Sequence, residues 1–137
     1  MSEYPIAEFG FPGPTRDRLV AAILAGEKTA TTSLLIEYER ESEPLPEVGD
    51  RQAIIDSEGV VVATIEITRV DILPLGSVPL AHAVAEGEGC RTVEEWRAQH
   101  DAFWSSTEFL DGLGAPWPII DDHAVAVLER FAVVARV

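Results

Sequence analysis

The chain has 137 residues, of which 47% are hydrophobic and 25% charged, as expected for one soluble globular domain with a substantial core. Its formal net charge of −14 excludes the basic stripe of a typical nucleic-acid binder, although not a local basic pocket. A single cysteine excludes an internal disulfide, and no signal peptide or membrane-spanning run is evident. We therefore expect a cytoplasmic location and no membrane partner.

The first part of the chain predicts an extended segment followed by two helices. Proline and glycine make residues 1–14 extended, with a short strand at 6–9. Thr15 is a suitable N-cap for a helix over 16–25. A threonine-rich run follows, and the spacing of apolar residues predicts a second, short helix over 34–40.

Strands account for most of the remaining β-branched residues. Segments 51–56 and 60–73 are separated by turn residues, which predicts a hairpin. Residues 111–118 are rich in glycine and proline and are predicted to form a loop. The segment 125–137 is nearly all apolar and is expected to be a buried final strand. Helices among strands indicate the α+β class, as a small β-barrel or curled sheet.

Two segments between the hairpin and the final strand, 78–85 and 93–104, have residues at helical spacing and are predicted to be helices. The second segment carries a stripe of aromatic residues and histidine at i, i+4, i+7 and i+8. Such a stripe is more often core than a ligand surface. We expect Trp96 and Phe103 to be buried and Trp104 to lie at a rim.

The only lysine, Lys28, lies in a run of hydroxyl residues just after the first predicted helix. The pKa of lysine shifts on burial more readily than that of arginine, so this cluster is a candidate anion-binding or catalytic site. The alternative is that the hydroxyl groups only satisfy the backbone of a loop.

The histidines do not indicate a metal site. His82 and Glu86 are one helical turn apart, a spacing that suits a metal or a proton relay but more often forms a surface pair. Residues 121–123, Asp-Asp-His, are more simply interpreted as a polar turn before the last strand. We expect no metal and no other cofactor.

A combination of short motifs resembles the ASCH domain family. In order, the motifs are Gly-Glu-Lys-Thr-Ala-Thr at 26–31, Gly-Asp at 49–50, Glu-Gly-Glu-Gly at 86–89, Trp-Arg at 96–97 and His100. Each motif alone is weak, but their order and spacing are specific, and the resemblance extends over about 10–137. It implies one ASCH domain over 1–137, a PUA-like small β-barrel with attached helices. It also implies that RNA or a nucleoside binds in a cleft beside the barrel.

The resemblance also implies a set of catalytic residues. Small members of the family are amidohydrolases that remove the acetyl group from N4-acetylcytidine, and Lys28, Thr31 and Glu86 match their lysine, threonine and glutamate. Thr31 would be the nucleophile, and Lys28 would accept its proton or stabilise the oxyanion. Glu86 would orient Lys28 or carry a proton to the leaving amine. The spacing of Lys28 and Thr31 brings them together only if residues 28–31 turn.

Polar and aromatic neighbours of the motif positions are candidates for substrate binding: Thr29, Thr32, Ser33, Glu88 and Trp104. The chain departs from the small amidohydrolases because it is longer and has Thr-Ser where they have Ile-Arg after the nucleophile. Two alternatives follow from the family, a ribonuclease acting on single-stranded RNA and an RNA-binding module without chemistry. The partner is RNA or a modified nucleoside, and the sequence does not determine the oligomeric state.

Overall fold

The central feature of the fold is a mixed five-stranded sheet. A computed structural model describes residues 4–137, and its strands are β1 (Ile6–Ala7), β2 (Ala30–Leu34), β3 (Arg51–Ile55), β4 (Val61–Pro74) and β5 (Val125–Arg136). Their order in the sheet is β1-β3-β4-β5-β2, with β1 parallel to β3 and the other neighbours antiparallel. The predicted α+β class is confirmed. Within the described residues the sheet has two edges, β1 and β2, and is not closed into a barrel.

Helices connect and cover these strands. Within the described residues they are α1 (Pro14–Leu24), α2 (Leu35–Glu41), α3 (Leu80–Ala85), α4 (Val93–Trp104) and α5 (Thr107–Leu113). None of the helices in residues 4–137 has both the length and the apolar character required to cross a membrane.

Helix α1 begins one residue before the predicted N-cap. Gly13 is the N-cap, and Pro14 occupies the first helical position, where its missing N–H would have no intrahelical partner. Thr15 is therefore inside the helix, and its prediction as N-cap is wrong.

The threonine-rich run forms an edge strand rather than a turn. Residues 30–34 pair with β5 without a register shift, from Ala30 opposite Arg130 to Leu34 opposite Ala126. Thr31 therefore lies on a strand, and the expected turn over 28–31 is wrong for its second half. β-Branched threonines are suited to a strand, and β5 offers them a free edge.

Helix α5 begins before the predicted loop and extends into it. The hydroxyl of Ser106 accepts a hydrogen bond from the backbone N–H of Phe109 and caps the helix. Phe109 is buried, and Leu110 and Leu113 pack against the same apolar cluster. This cap and packing outweigh the unfavourable glycine at position 112, so the predicted loop over 111–118 is wrong at its start.

Two buried apolar clusters form the core. One joins β2 and β5 to α4 and α5, and it includes Leu34, Leu128, Trp96 and Trp104. The other joins β3, β4 and β5 to α1 and is rich in isoleucine. Trp104 is 2% exposed and Phe103 is 38% exposed. The expected burial is therefore wrong for both residues, because the buried face of α4 includes position 104 and not position 103.

The final strand is buried only in its first half. Residues 126–129 are buried, whereas most of 132–136 is exposed. The expectation of a wholly buried strand is wrong for its second half, in which Phe131 is buried but residues 132, 134, 135 and 136 are exposed.

Candidate active site

A cleft of about 600 Å³ is lined by residues of α1, β2, α4 and the segment after α3. Its volume is in the range of small-molecule sites and fits one nucleoside-sized ligand. The lining includes all predicted catalytic residues and most predicted substrate contacts, namely Lys28, Thr31, Thr32, Ser33, Glu86, Glu88 and Trp104. The fold thus brings together residues that are up to 76 positions apart in the chain.

Thr29 and Trp104 differ from the other predicted residues. Thr29 is not among the residues that line the cleft, and its hydroxyl lies 3.4 Å from the carbonyl oxygen of Ala85. This contact is the one expected if Thr29 only satisfies the backbone. Trp104 lines the cleft from the core side, with its ring centroid 5.3 Å from that of His100. It is a buried wall of the cleft rather than a rim.

Backbone contacts hold the segment before β2 against the end of α3. The N–H of Thr29 donates to the carbonyl of Ala85 at 2.8 Å. Gly87 has a φ of +72°, and a Cβ at this position would lie 2.3 Å from the carbonyl oxygen of Glu27. Only glycine allows both the conformation and the close approach. These contacts place the predicted catalytic lysine and glutamate side by side.

Lys28 is held as a hydrogen-bond donor. Its Nζ lies 2.8 Å from the carbonyl oxygen of Ala30 and 3.3 Å from that of Glu86. The same Nζ is 3.5 Å from Oε1 of Glu86 and 3.9 Å from Oε2 of Glu88. Because carbonyl and carboxylate oxygens only accept, this environment favours the ammonium form of Lys28 over a neutral amine that accepts a proton.

The carboxylate of Glu86 is the centre of the network. Its side chain is 2% exposed, and Oε2 accepts hydrogen bonds from the hydroxyl of Thr32 at 2.7 Å and the indole N–H of Trp96 at 2.6 Å. Oε1 faces Nε2 of His100 at 3.2 Å as well as Nζ of Lys28. With Nε2 of His82 at 3.3 Å from Oε2, Oε1 has two polar partners and Oε2 has three, so the carboxylate has a fixed orientation.

These partners keep Glu86 ionised. Burial alone would raise the pKa of Glu86, but hydrogen bonds from His100 and His82 and the charge of Lys28 outweigh it. The pKa is held well below its ordinary value. Glu86 thus acts as a fixed anion and is not a source of protons near neutral pH.

Thr32 and His82 support Glu86 from one side. The hydroxyl of Thr32 donates to the carboxylate, so its 2.8 Å contact with Nε2 of His82 requires that Nε2 carry a proton and donate. Nε2 also lies 3.3 Å from Oε2 of Glu86, and both side chains of this i, i+4 pair are buried. The expectation of a surface pair is wrong. Thr32 positions the glutamate, and its hydroxyl is already engaged.

Thr31 has a different environment from Thr32. It lines the cleft, and within residues 4–137 its hydroxyl makes no hydrogen bond. Thr31 is therefore in the same cleft as Lys28 and Glu86 but is not bonded to either.

His100 was identified from the sequence only as part of a motif and an aromatic stripe. Its Nδ1 lies 2.9 Å from the carbonyl oxygen of Trp96, and its ring stacks on the Trp96 indole with centroids 4.2 Å apart. Burial lowers the pKa of His100, but the hydrogen bond and the charge of Glu86 raise it above the ordinary value. The i, i+4 spacing of Trp96 and His100 was a signal, but the sequence could not show that both face Glu86.

Glu86, Glu88 and His100 bring possible metal-ligand atoms within 4.8 Å of one another. The positive charge near these carboxylates is already supplied by Lys28, and Nε2 of His100 is directed at Glu86. Lys28 and His100 therefore compete with any metal ion for Glu86, the central carboxylate of this group.

Comparisons with known proteins agree with this architecture. The family model of the ASCH domain matches residues 7–135. The crystal structure of protein EF3133 from Enterococcus faecalis V583 is similar with a TM-score of 0.84 and 29% identity, over 99% of this chain and 79% of that one. The ASCH domain from Lactobacillus crispatus JV V101 has a TM-score of 0.82 and 29% identity, over 97% and 80%. No curated protein sequence matches this chain.

The fold and the cleft define an α+β domain with a ligand-sized site at one edge of its sheet. The chain belongs to the ASCH domain family, as its motifs indicated. The names of the two matched structures state no ligand and no reaction.

Proposed function

We propose that this protein hydrolyses an amide bond in a small, neutral, nucleoside-sized ligand bound in the cleft. The observation that carries the proposal is the ion pair of Lys28 and Glu86, 3.5 Å apart, with each side chain 2% exposed. Burying two opposite charges commonly stabilises a fold less than apolar side chains of the same size would. A pair of this kind in the wall of a cleft is therefore better explained by chemistry than by stability.

The geometry assigns each residue a role in the reaction. Thr31 supplies the nucleophile because it belongs to the cleft lining and its hydroxyl has no partner among the described residues, whereas that of Thr32 bonds to Glu86. Lys28 stabilises the oxyanion, since its 3.3 Å contact with the carbonyl oxygen of Glu86 can be exchanged for a substrate oxygen. Glu86 remains ionised and holds Lys28 in place.

The charge of the molecule supports a neutral substrate rather than a long polyanion. The chain carries a formal net charge of −14, and Glu8, Glu37 and Glu88 line the same cleft as Lys28. A phosphate backbone would be repelled at long range, whereas a nucleoside would not. An N4-acylated cytidine has the required amide and size. The proposal retains a PUA-like architecture and a cytoplasmic location.

The test is hydrolysis of N4-acetylcytidine by the purified protein, with release of cytidine followed by chromatography. Lys28→Met keeps most of the side-chain length, removes the charge and should abolish release. Thr31→Ala should also abolish release, and Thr31→Ser should retain part of it. Ile72→Met, at a 46% exposed position outside the cleft, is the control and should behave as wild type.

Failure of wild-type protein to release cytidine at high enzyme concentration would reject this substrate. The two alternatives from the family, cleavage of single-stranded RNA and RNA binding without chemistry, would then account better for the site. Lys28 would in that case contact a phosphate.

A further inference from the structure

We propose that His100 is the acid that protonates the leaving nitrogen in this hydrolysis. The inference rests on the proposed function and adds a catalytic residue that the family resemblance did not supply. It starts from the hydrogen bonds of the imidazole ring, which determine how many protons the ring carries.

Both ring nitrogens of His100 face groups that only accept. Nδ1 is 2.9 Å from the carbonyl oxygen of Trp96, and Nε2 is 3.2 Å from Oε1 of Glu86. A neutral imidazole has only one N–H. In one of these two contacts, an unprotonated ring nitrogen would then face an oxygen that also only accepts. The ring is therefore an imidazolium, and its stacking on the Trp96 indole at 4.2 Å favours the cation further.

The other titratable groups of the site are less suitable as acids. Glu86 is held ionised by its partners. His82 is 3% exposed, its Nε2 is engaged by Thr32, and it is not among the residues lining the cleft. Lys28 is needed for the oxyanion. His100 lines the cleft and its side chain is 12% exposed, so it can reach the ligand.

The bonds and protons of the step balance. The hydroxyl oxygen of Thr31 bonds to the acyl carbon, the carbon–nitrogen bond breaks, and the leaving nitrogen takes the Nε2 proton of His100. The proton released by Thr31 passes to water in the open cleft, and water returns a proton to Nε2 of His100. Glu86 stays ionised, and His100 ends the step with the protons it began with. Water then adds to the acyl carbon, releases the carboxylic acid and regenerates the Thr31 hydroxyl.

The first experiment measures the protonation of His100 directly. In ¹⁵N-labelled protein at pH 7, we expect both ring nitrogens of His100 to carry protons, with exposed His123 as an internal reference signal. Glu86→Gln should shift His100 toward the neutral ring. The charged groups that act on His100 are Glu86 and Glu88, so this variant removes the anion that His100 contacts at 3.2 Å. A neutral ring in wild-type protein at pH 7 would overturn the inference whatever the substrate.

The second experiment separates an acid from a structural role by changing the leaving group. His100→Gln should lower kcat/KM for N4-acetylcytidine by about 100-fold or more. It should leave hydrolysis of p-nitrophenyl acetate nearly unchanged, because nitrophenolate leaves without a proton. His123→Gln, outside the cleft, is the control and should affect neither substrate.

Each result has a distinct meaning. If wild-type protein cleaves the amide and His100→Gln cleaves it equally well, the acid role is wrong and the proposed function stands. If His100→Gln loses both substrates equally, the histidine is structural. If wild-type protein does not cleave the amide, the proposed function fails, and the acid role fails with it.

Discussion

A buried lysine and a buried glutamate depend on each other, and this dependence can be measured. Lys28→Met leaves the carboxylate of Glu86, which is 2% exposed, without its ammonium partner. Removing one member of a buried pair typically costs about 3–5 kcal/mol of unfolding free energy. We expect a loss in this range in urea unfolding, although neighbouring hydrogen bonds to Glu86 place it at the lower end.

The matched variant is Lys28→Met combined with Glu86→Gln, which removes both charges. It should recover part of the stability lost in Lys28→Met while remaining inactive. If the double variant is less stable by the sum of the two single losses, the residues are not energetically coupled and the pair is not the centre of the site.

At the scale of single residues, the sequence predicted candidate residues, most of which the fold brings to one cleft, but not the contacts among them. Lys28 stood out as the sole lysine, and family motifs supplied Thr31 and Glu86. The sequence could not show that Thr32, and not Thr31, bonds to Glu86, because this depends on where β2 begins. Nor could it show that His100 reaches the same carboxylate from another helix.

At the scale of elements, the segment after α3 is positioned by one glycine. A Cβ at position 87 would meet the backbone of Glu27 and Lys28 at 2.3–2.9 Å, and the φ of +72° already disfavours other residues. Gly87→Ala should therefore separate Lys28 from Glu86, with a loss of activity and of more than about 1–3 kcal/mol in unfolding free energy.

Gly89→Ala provides the control for this prediction. Gly89 has a similar φ of +83°, but no atom would lie within 4 Å of its added Cβ. It should show only the cost of the backbone conformation, about 1 kcal/mol, and should keep most activity. Equal effects of the two variants in unfolding and activity assays would contradict a positioning role for Gly87.

Regular elements with a clear period could be predicted from the sequence, and elements that depend on tertiary contacts could not. The hairpin and the helix over 93–104 followed from β-branched runs and apolar spacing. Strand β2 forms because β5 offers it an edge, and α5 persists despite Gly112 because Phe109 is buried. Barrel closure was expected from the family resemblance and is not seen in the order of the strands.

At the scale of the whole molecule, net charge separates the candidate ligands. Binding of a neutral nucleoside should be nearly independent of salt, whereas binding of single-stranded RNA should weaken steeply as salt rises. With a formal net charge of −14, we expect RNA binding to be weak and nucleoside binding to persist. Calorimetric titration of cytidine and of a short oligoribonucleotide at two salt concentrations tests this. Tight RNA binding with a steep salt slope would favour the RNA-binding alternatives.

The pH dependence of stability has opposite contributions from two buried glutamates. Glu86 has a lowered pKa in the fold, so its contribution to stability is present above the pKa of the unfolded state and is lost as pH falls.

Glu129 lies opposite Thr31 in β5, is 5% exposed and has an oxygen without a hydrogen-bond partner among the described residues. Burial, and then the charge of Asp50, raise its pKa to about 7. Its contribution is therefore full below about pH 4.5 and is lost as pH rises through about 7.

Replacing Glu129 by glutamine should remove this loss at high pH. The shift from 4.5 to about 7 corresponds to at most about 3 kcal/mol, so Glu129→Gln should raise the unfolding free energy at pH 8 by up to that amount. At pH 4.5 the variant should differ little from wild type, because the carboxyl group is then protonated in the fold. Glu58→Gln, at an exposed turn, is the control and should show no such pH dependence. An equal change for Glu129→Gln at both pH values in urea unfolding would show that the side chain acts through packing and not through its ionisation.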